Sequence, residues 1–236
     1  MSWLRRSGAT SPATDDVGSP AIPAAIDHAS PGLRQVMERL PRPGASVLDF
    51  GPVLAANIEC FRRLQARLRL LDLEGTLVDA GLWEKPAKLS LWEESLPRLL
   101  AAGADEHYDL VLAWDFPNYL GRERWPALAR LLVERLKPGG VVHLLARSGR
   151  SMPARPGHFR ITAGEAVREE PRTGATLEPP RFSHGEIERL NPGLAAARSF
   201  LDKHGVQEFV LEHAGELNLP PRPIAQLRKP RSYYPG

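Results

Sequence analysis

The sequence predicts an α/β protein, a mainly parallel sheet with helices on both faces. Three observations carry this. Four short apolar runs, "SVLDFG" from Ser46, "RLRLLDL" from Arg67, "HYDLVLAWD" from His107 and "VVHLLAR" from Val141, read as buried strands. Stretches with apolar residues at helical spacing lie between them, and such alternation implies parallel neighbours. The closing run "ARSFLDKHGVQEFVLEH" divides at His204-Gly205 into two strands, which a hairpin makes antiparallel.

In chain order, residues 1–29 are small, polar and proline-bearing, and are expected to be disordered or extended. A main domain then spans residues 30–213. Ser30 can cap a first helix, Pro31 suits its first turn, and Leu33, Val36, Met37 and Leu40 share one face. After "SVLDFG", the residues Leu54, Ile58, Phe61 and Leu64 mark a second helix. Within residues 74–106, "EGTLVDAGLWEK" and "LWEESLPRLLAA" read as helical, with "AKLSL" a candidate short strand between them. Pro126 can open a helix striped by Leu128, Leu131, Leu132 and Leu136, and "KPGG" offers Gly139 and Gly140 as its left-handed end. "FRITAGEAVREE" is a small hairpin or ordered insertion. "SHGE" from Ser183 has capping-box spacing, and Asn191-Pro192-Gly193 closes the helix it starts. Residues 214–236 form a proline-rich basic tail, in which Pro220, Pro221, Pro223, Pro230 and Pro235 oppose regular structure.

Charge and cysteine usage narrow the function classes. The chain's formal charge is +3, and residues 216–236 carry Arg222, Arg228, Lys229 and Arg231 against Glu216, so the remainder is balanced. A nucleic-acid surface on the main domain is therefore not expected, whereas the tail, with Tyr233 and Tyr234, is either a solvated end or a docking segment for an acidic partner or a nucleic-acid backbone. Cys60 is the single cysteine, which excludes an internal disulfide and a multi-cysteine zinc site and fits a cytoplasmic location. No apolar run approaches membrane-spanning length, so no membrane is expected as partner. The seven histidines are scattered without metal-ligand spacing, and His143, inside an apolar strand, reads as packed.

Three pieces, "VLDFG", "YDLVLAWDFPNYL" and "LVERLKPGGVVHLL", in this order and spacing, resemble the class I S-adenosylmethionine-dependent methyltransferases, over roughly residues 30–213. The resemblance implies a Rossmann-like methyltransferase fold: a seven-stranded sheet of order 3-2-1-4-5-7-6 with strand 7 antiparallel. It also implies S-adenosylmethionine as cofactor. The cofactor-binding candidates are Asp49, Gly51, Asp72 and Asp115, all at or near strand ends where ligands of open parallel sheets bind. By the resemblance, the Gly51 turn would pass beneath the amino-acid part of the cofactor and Asp72 would accept from the ribose hydroxyls, with Glu93 or Glu94 near the adenine.

Each candidate has a plainer alternative. Asp49 can organise its turn through backbone amides, and Asp72 can cap the next helix with Glu74 sharing that role. The family's turn carries glycines at alternate positions, whereas this chain has Gly51, Val53 and Ala55, with Pro52 removing an amide donor. Asn57 is a candidate replacement polar contact or, in the favoured reading, a solvent-facing or capping residue. "DFPNY" at Asp115–Tyr119 superficially resembles the "DPPY" motif of amino-methylating enzymes, but its spacing differs and a loop is expected there. No catalytic residue is assigned. Two functional readings stand: a methyltransferase of unknown substrate, and a catalytically inactive relative that keeps the fold as a binding or scaffold module. A nicotinamide-dependent enzyme fits worse, because G-x-G-x-x-G is missing after the first strand.

Overall fold

The computed structural model describes residues 24–84, 88–100, 106–162, 166–170 and 172–213. In chain order the elements are β1 (Ile26–His28), α1 (Pro31–Arg39), β2 (Ser46–Asp49), α2 (Ala55–Arg63), β3 (Arg67–Leu70), α3 (Leu73–Asp79) and α4 (Leu89–Leu99). Then come β4 (Tyr108–Trp114), α5 (Phe116–Glu134), β5 (Leu136–Arg147), β6 (Met152–Pro153), β7 (His158–Ile161), β8 (Val167–Glu170) and β9 (Thr176–Leu177). The chain closes with α6 (His184–Leu190), β10 (Leu194–Leu201) and β11 (Val206–His213).

The main sheet has six strands in the order β10-β11-β5-β4-β2-β3. The pairs β2–β3, β2–β4 and β4–β5 are parallel, and β11 runs antiparallel to both β5 and β10. This is a methyltransferase-like α/β fold with strands 2-1-4-5-7-6 of the expected order in place. Expected strand 3 has no counterpart among the described residues. Of "AKLSL", Ala87 lies outside them, and Leu89–Leu91 begin α4. Apolar side chains three and four apart there, with Trp92 and Leu96 buried, make a helix the better way to bury one face.

Alternation along β4 builds two cores. Val111 and Ala113 face α3, α4, α5 and α6, where Leu77, Trp92, Leu96, Trp125, Leu128 and Ile187 are buried. Leu110, Leu112 and Trp114 face the other way, toward Leu33, Val36 and Met37 of α1 and Phe61 of α2. That second core also contains Phe159, Ile161 and Val167, which come from a separate three-stranded sheet of order β1-β8-β7. "FRITAGEAVREE" is thus the antiparallel pair β7–β8, with Ala163–Glu165 outside the described residues. Its outer neighbour β1 comes from the segment expected to be disordered or extended, whose residues 24–29 are described and whose Ile26–His28 pair with Val167–Glu169.

Several local expectations change. Ser30 does stand at the start of α1, but its hydroxyl makes no bond to that helix; it donates to Glu208 of β11, whose carboxylate accepts from the amides of Gly32 and Leu33 at 2.9 Å each. A carboxylate from the neighbouring strand satisfies the free amides in place of the serine. The α5 helix begins at Phe116, in place of the expected loop, and breaks at Gly121 (φ 67°), so Pro126 lies inside it. Gly139 (φ 73°) does not end that helix, which stops at Glu134; it turns the chain where the β4–β5 register jumps from Tyr108–Leu136 to Leu110–Val141. A Cβ on Gly140 would stand 2.8 Å from the Tyr108 carbonyl and 2.9 Å from that of Lys137. Both are backbone atoms, so Gly140→Ala is expected to lower stability by about 2 kcal/mol in urea denaturation. Ser183 and Glu186 form the expected reciprocal capping box, with Asn191 ending α6. Among the described residues no helix is long and apolar enough to cross a membrane. The tail, residues 214–236, lies outside the described residues.

Candidate functional site

In an open parallel sheet the ligand crevice lies outside the carboxyl ends of the strands, where the strand order reverses. Here that place is between β2 and β4, whose ends carry Asp49 and the Trp114-Asp115 pair. Asp49 and Asp115 stand at the strand ends where the sequence placed them. What the structure adds is how they are used.

The Asp49 carboxylate is fully buried and each oxygen has a partner inside the chain. Oδ1 accepts from the Gly51 amide at 2.8 Å and from the Trp114 indole N–H at 2.6 Å, and Oδ2 accepts from the Asn57 side chain at 3.1 Å. Burial raises the Asp49 pKa, and the bonds from Trp114, Gly51 and Asn57 oppose that shift. The turn-organising alternative for Asp49 is the arrangement seen. Gly51 takes no positive φ; its missing side chain serves close approach, since a Cβ would lie 3.1 Å from both Asp49 Oδ1 and Trp114 Nε1. Trp114 itself has a φ of 45° at the end of β4, is 1% exposed, and stacks on Phe159 with ring centres 5.3 Å apart and planes 14° from parallel.

Asn57 is neither solvent-facing nor a cap. It is fully buried in the first half of α2, donates to the Phe159 carbonyl at 3.1 Å as well as to Asp49, and accepts from the Ile161 amide at 2.9 Å. One amide side chain thereby ties the first turn of the sheet to the backbone of β7. Ile58, expected on the inner face, is 40% exposed, since the β7 backbone calls for the polar neighbour inward.

Asp115 is also fully buried. Its Oδ2 accepts two bonds from Arg147, at 3.0 and 2.7 Å, while Oδ1 has no partner among the described residues. Burial pushes the Asp115 pKa up, with the Arg147 charge acting against it. Arg147 ends β5 and also donates to Glu169 of β8 at 2.6 Å. Glu169 meets His28 Nε2 of β1 at 3.0 Å, and His28 Nδ1 meets Asp202, in the turn before β11. Burial by itself would lower the His28 pKa; the bonds to Glu169 and Asp202 override it and raise it. The result is a chain of alternating charge, Asp202, His28, Glu169, Arg147, Asp115, running from the hairpin sheet into the crevice.

Asp72 is separate from this set. It is exposed at the start of α3 and accepts from the Gly75 amide at 2.9 Å, so it holds the capping position anticipated as its plainer alternative. Glu74 does not share the cap; it meets Arg172 at 3.0 Å and Arg155 at 3.5 Å. Glu93 lies in α4 with its nearest cation, Arg130 of α5, at 3.9 Å. His143, read as packed, is fully buried against Glu208. Among the described residues no group of three His, Cys, Asp or Glu side chains is placed to hold a metal.

The sequence reading missed Trp114, Arg147, Glu169 and His28. A signal was present for one of them: Arg147 follows six apolar or neutral residues of β5 at the parity of Val141 and Leu145, which aims it into a core. The others depend on hairpin placement. Trp114, Phe159, Asn57 and the Arg147 guanidinium therefore pack at the crevice end of the sheet, where both oxygens of Asp49 and Oδ2 of Asp115 are bonded to the protein itself.

Neither a protein-family model nor a curated protein sequence matches the chain. Among solved structures it is similar to DesVI of Streptomyces venezuelae, at 17% identity and TM-score 0.40, covering 76% of this chain and 86% of that one. It is similar to an S-adenosylmethionine-dependent methyltransferase from Clostridium acetobutylicum, at 12% identity and TM-score 0.42 over 78% and 91% of the two chains. The N-methyltransferase NodS of Bradyrhizobium japonicum aligns at 14% identity and TM-score 0.40 over 76% and 93%.

Proposed function

We propose that this chain is a methyltransferase-fold protein that acts without the cofactor, as a binding or scaffold module. The observation that carries this reading is the packed crevice end, with Asp49 bonded to Trp114, Gly51 and Asn57 beneath the β7–β8 hairpin. A movable lid would have to leave at a small cost. Here Phe159, Ile161 and Val167 are 2%, 4% and 1% exposed, and re-exposing each costs about 1.5–3 kcal/mol, so opening costs roughly 5–9 kcal/mol before any ion pair is broken. A cofactor present at a hundred times its dissociation constant returns only about 2.7 kcal/mol. Closure wins that comparison.

The other reading, a methyltransferase using S-adenosylmethionine on an unknown substrate, is favoured by one observation: Asp72 is exposed at the carboxyl end of β3, where a ribose would be held. Calorimetric titration of the purified protein with S-adenosylmethionine and with its demethylated product separates the two. The expected result is no saturable binding at about 1 mM ligand. Saturable binding that Asp72→Ala weakens by about 1–3 kcal/mol would establish the methyltransferase reading in its place.

A further inference from the structure

The opposite end of the sheet carries a recess that the crevice does not involve. It has a volume of about 270 Å³ and lies at the amino ends of β3, β2 and β4, walled by Ser46, Arg67, Arg69, Glu106, Tyr108 and Lys137. Three of these are cations and one is an acid. Arg69 has Glu106 at 3.5 Å, and Lys137 holds Asp109 at 2.6 Å. Arg67 differs: its guanidinium donates to the Ser46 hydroxyl at 3.0 Å, and among the described residues no carboxylate lies within ion-pair distance of it. Because Ser46 Oγ accepts that bond, its own hydrogen is free to donate. The pair is held in place from behind, since Asp109 also accepts from the Ser46 amide at 2.7 Å and so fixes Ser46 and Lys137 together. Tyr108 is 3% exposed and directs its hydroxyl to Glu106, which leaves its ring as an apolar wall.

We propose that this recess binds a compact phosphate monoester. An arginine fork with a free face, an adjacent hydroxyl donor and a lysine point charge are the donor set a phosphate dianion takes, and the ring wall suits a small organic substituent. The volume lies just under the range of organic-ligand pockets, which fits a sugar phosphate and excludes a dinucleotide. The phosphate is that of a free small molecule, because a recess of this volume takes one such group and the carboxylates Glu106 and Asp109 stand among its flanking cations. This site stands whether or not the crevice takes a cofactor.

Titration of the full chain with ribose 5-phosphate and with ribose, at constant ionic strength, tests it by calorimetry. The expected result is saturable binding of ribose 5-phosphate below ~10 mM and none of ribose. Arg67→Ala and Arg67→Gln, the second keeping a hydrogen bond to Ser46 without the charge, are both expected to weaken binding at least ~10-fold while circular dichroism and melting temperature stay unchanged. Equal binding of ribose, no saturation by ~10 mM, or undiminished affinity in folded Arg67→Gln would each overturn the assignment.

Discussion

Arg147→Met is expected to destabilise the protein by about 3–5 kcal/mol, the largest effect of any single substitution considered. Arg147 is the centre of the buried charge chain, bonded to Asp115 on one side and Glu169 on the other, with side-chain exposures of 11%, 0% and 2%. Burial alone would lower its pKa, and the two carboxylates override that and raise it. Methionine fills a similar volume but leaves the buried Asp115 carboxylate without its cation, with only two long bonds to Oδ2, from the Gly157 amide and the Tyr119 hydroxyl at 3.4 Å each. Glu169 keeps His28, so the loss falls mainly on Asp115. That asymmetry supplies a control. Adding Asp115→Asn to Arg147→Met removes the orphaned charge and is expected to restore part of the stability, whereas two independent losses would add. Urea denaturation measures both. A loss below about 1 kcal/mol for the single variant would mean that solvent screens the network, as at an exposed ion pair.

The same chain explains why the hairpin sheet behaves as part of the core. Its members come from β1, the end of β4, β5, β8 and the turn before β11, and bonded partners are separated by up to 174 positions in sequence. Periodicity reads contacts between neighbours in sequence and is blind to these. So "SVLDFG", "HYDLVLAWD" and the closing hairpin were legible, since each buries one or both faces within a single element. Asp49 and Asp115 were legible as positions at the switch point, but their partners were not: Asn57 meets Phe159 and Ile161 over 102 and 104 positions. At the turn Gly51-Pro52-Val53 the sequence left cofactor binding open; the Trp114 indole lies close to Gly51 and Val53 is 68% exposed. Expected strand 3 failed for a different reason. "AKLSL" has strand-like composition over a length too short to decide, and Trp92 and Leu96 extend the helical stripe that settles Leu89–Leu91.

Glu208 offers a pH-dependent counterpart to Arg147. It occupies the inward parity of β11 between Val206 and Val210, where a lone carboxylate is costly. Four donors offset that cost: the Ser30 hydroxyl, the amides of Gly32 and Leu33 at the start of α1, and His143 Nε2 at 2.8 Å. A carboxylate only accepts, so His143 Nε2 carries a hydrogen, while Nδ1 has no partner among the described residues. Burial alone would raise the Glu208 pKa; the His143 bond and charge, with the Ser30 and Gly32 bonds, override it and bring it from 4.5 to about 2. A folded-state pKa below the unfolded one gives stability that is complete above the unfolded value and is lost as pH falls through the folded value. The window is therefore pH 4.5 down to about 2, and the shift corresponds to roughly 3 kcal/mol at neutral pH. Glu208→Gln is expected to lose about that much at pH 7, because its amide group must turn an N–H toward one of the donors at α1. It is also expected to flatten the acid limb, so that wild type and variant converge near pH 2. Urea denaturation at intervals from pH 7 to pH 2 measures both curves. A variant curve parallel to the wild type across that range would take the acid sensitivity away from Glu208 and assign it to other carboxylates.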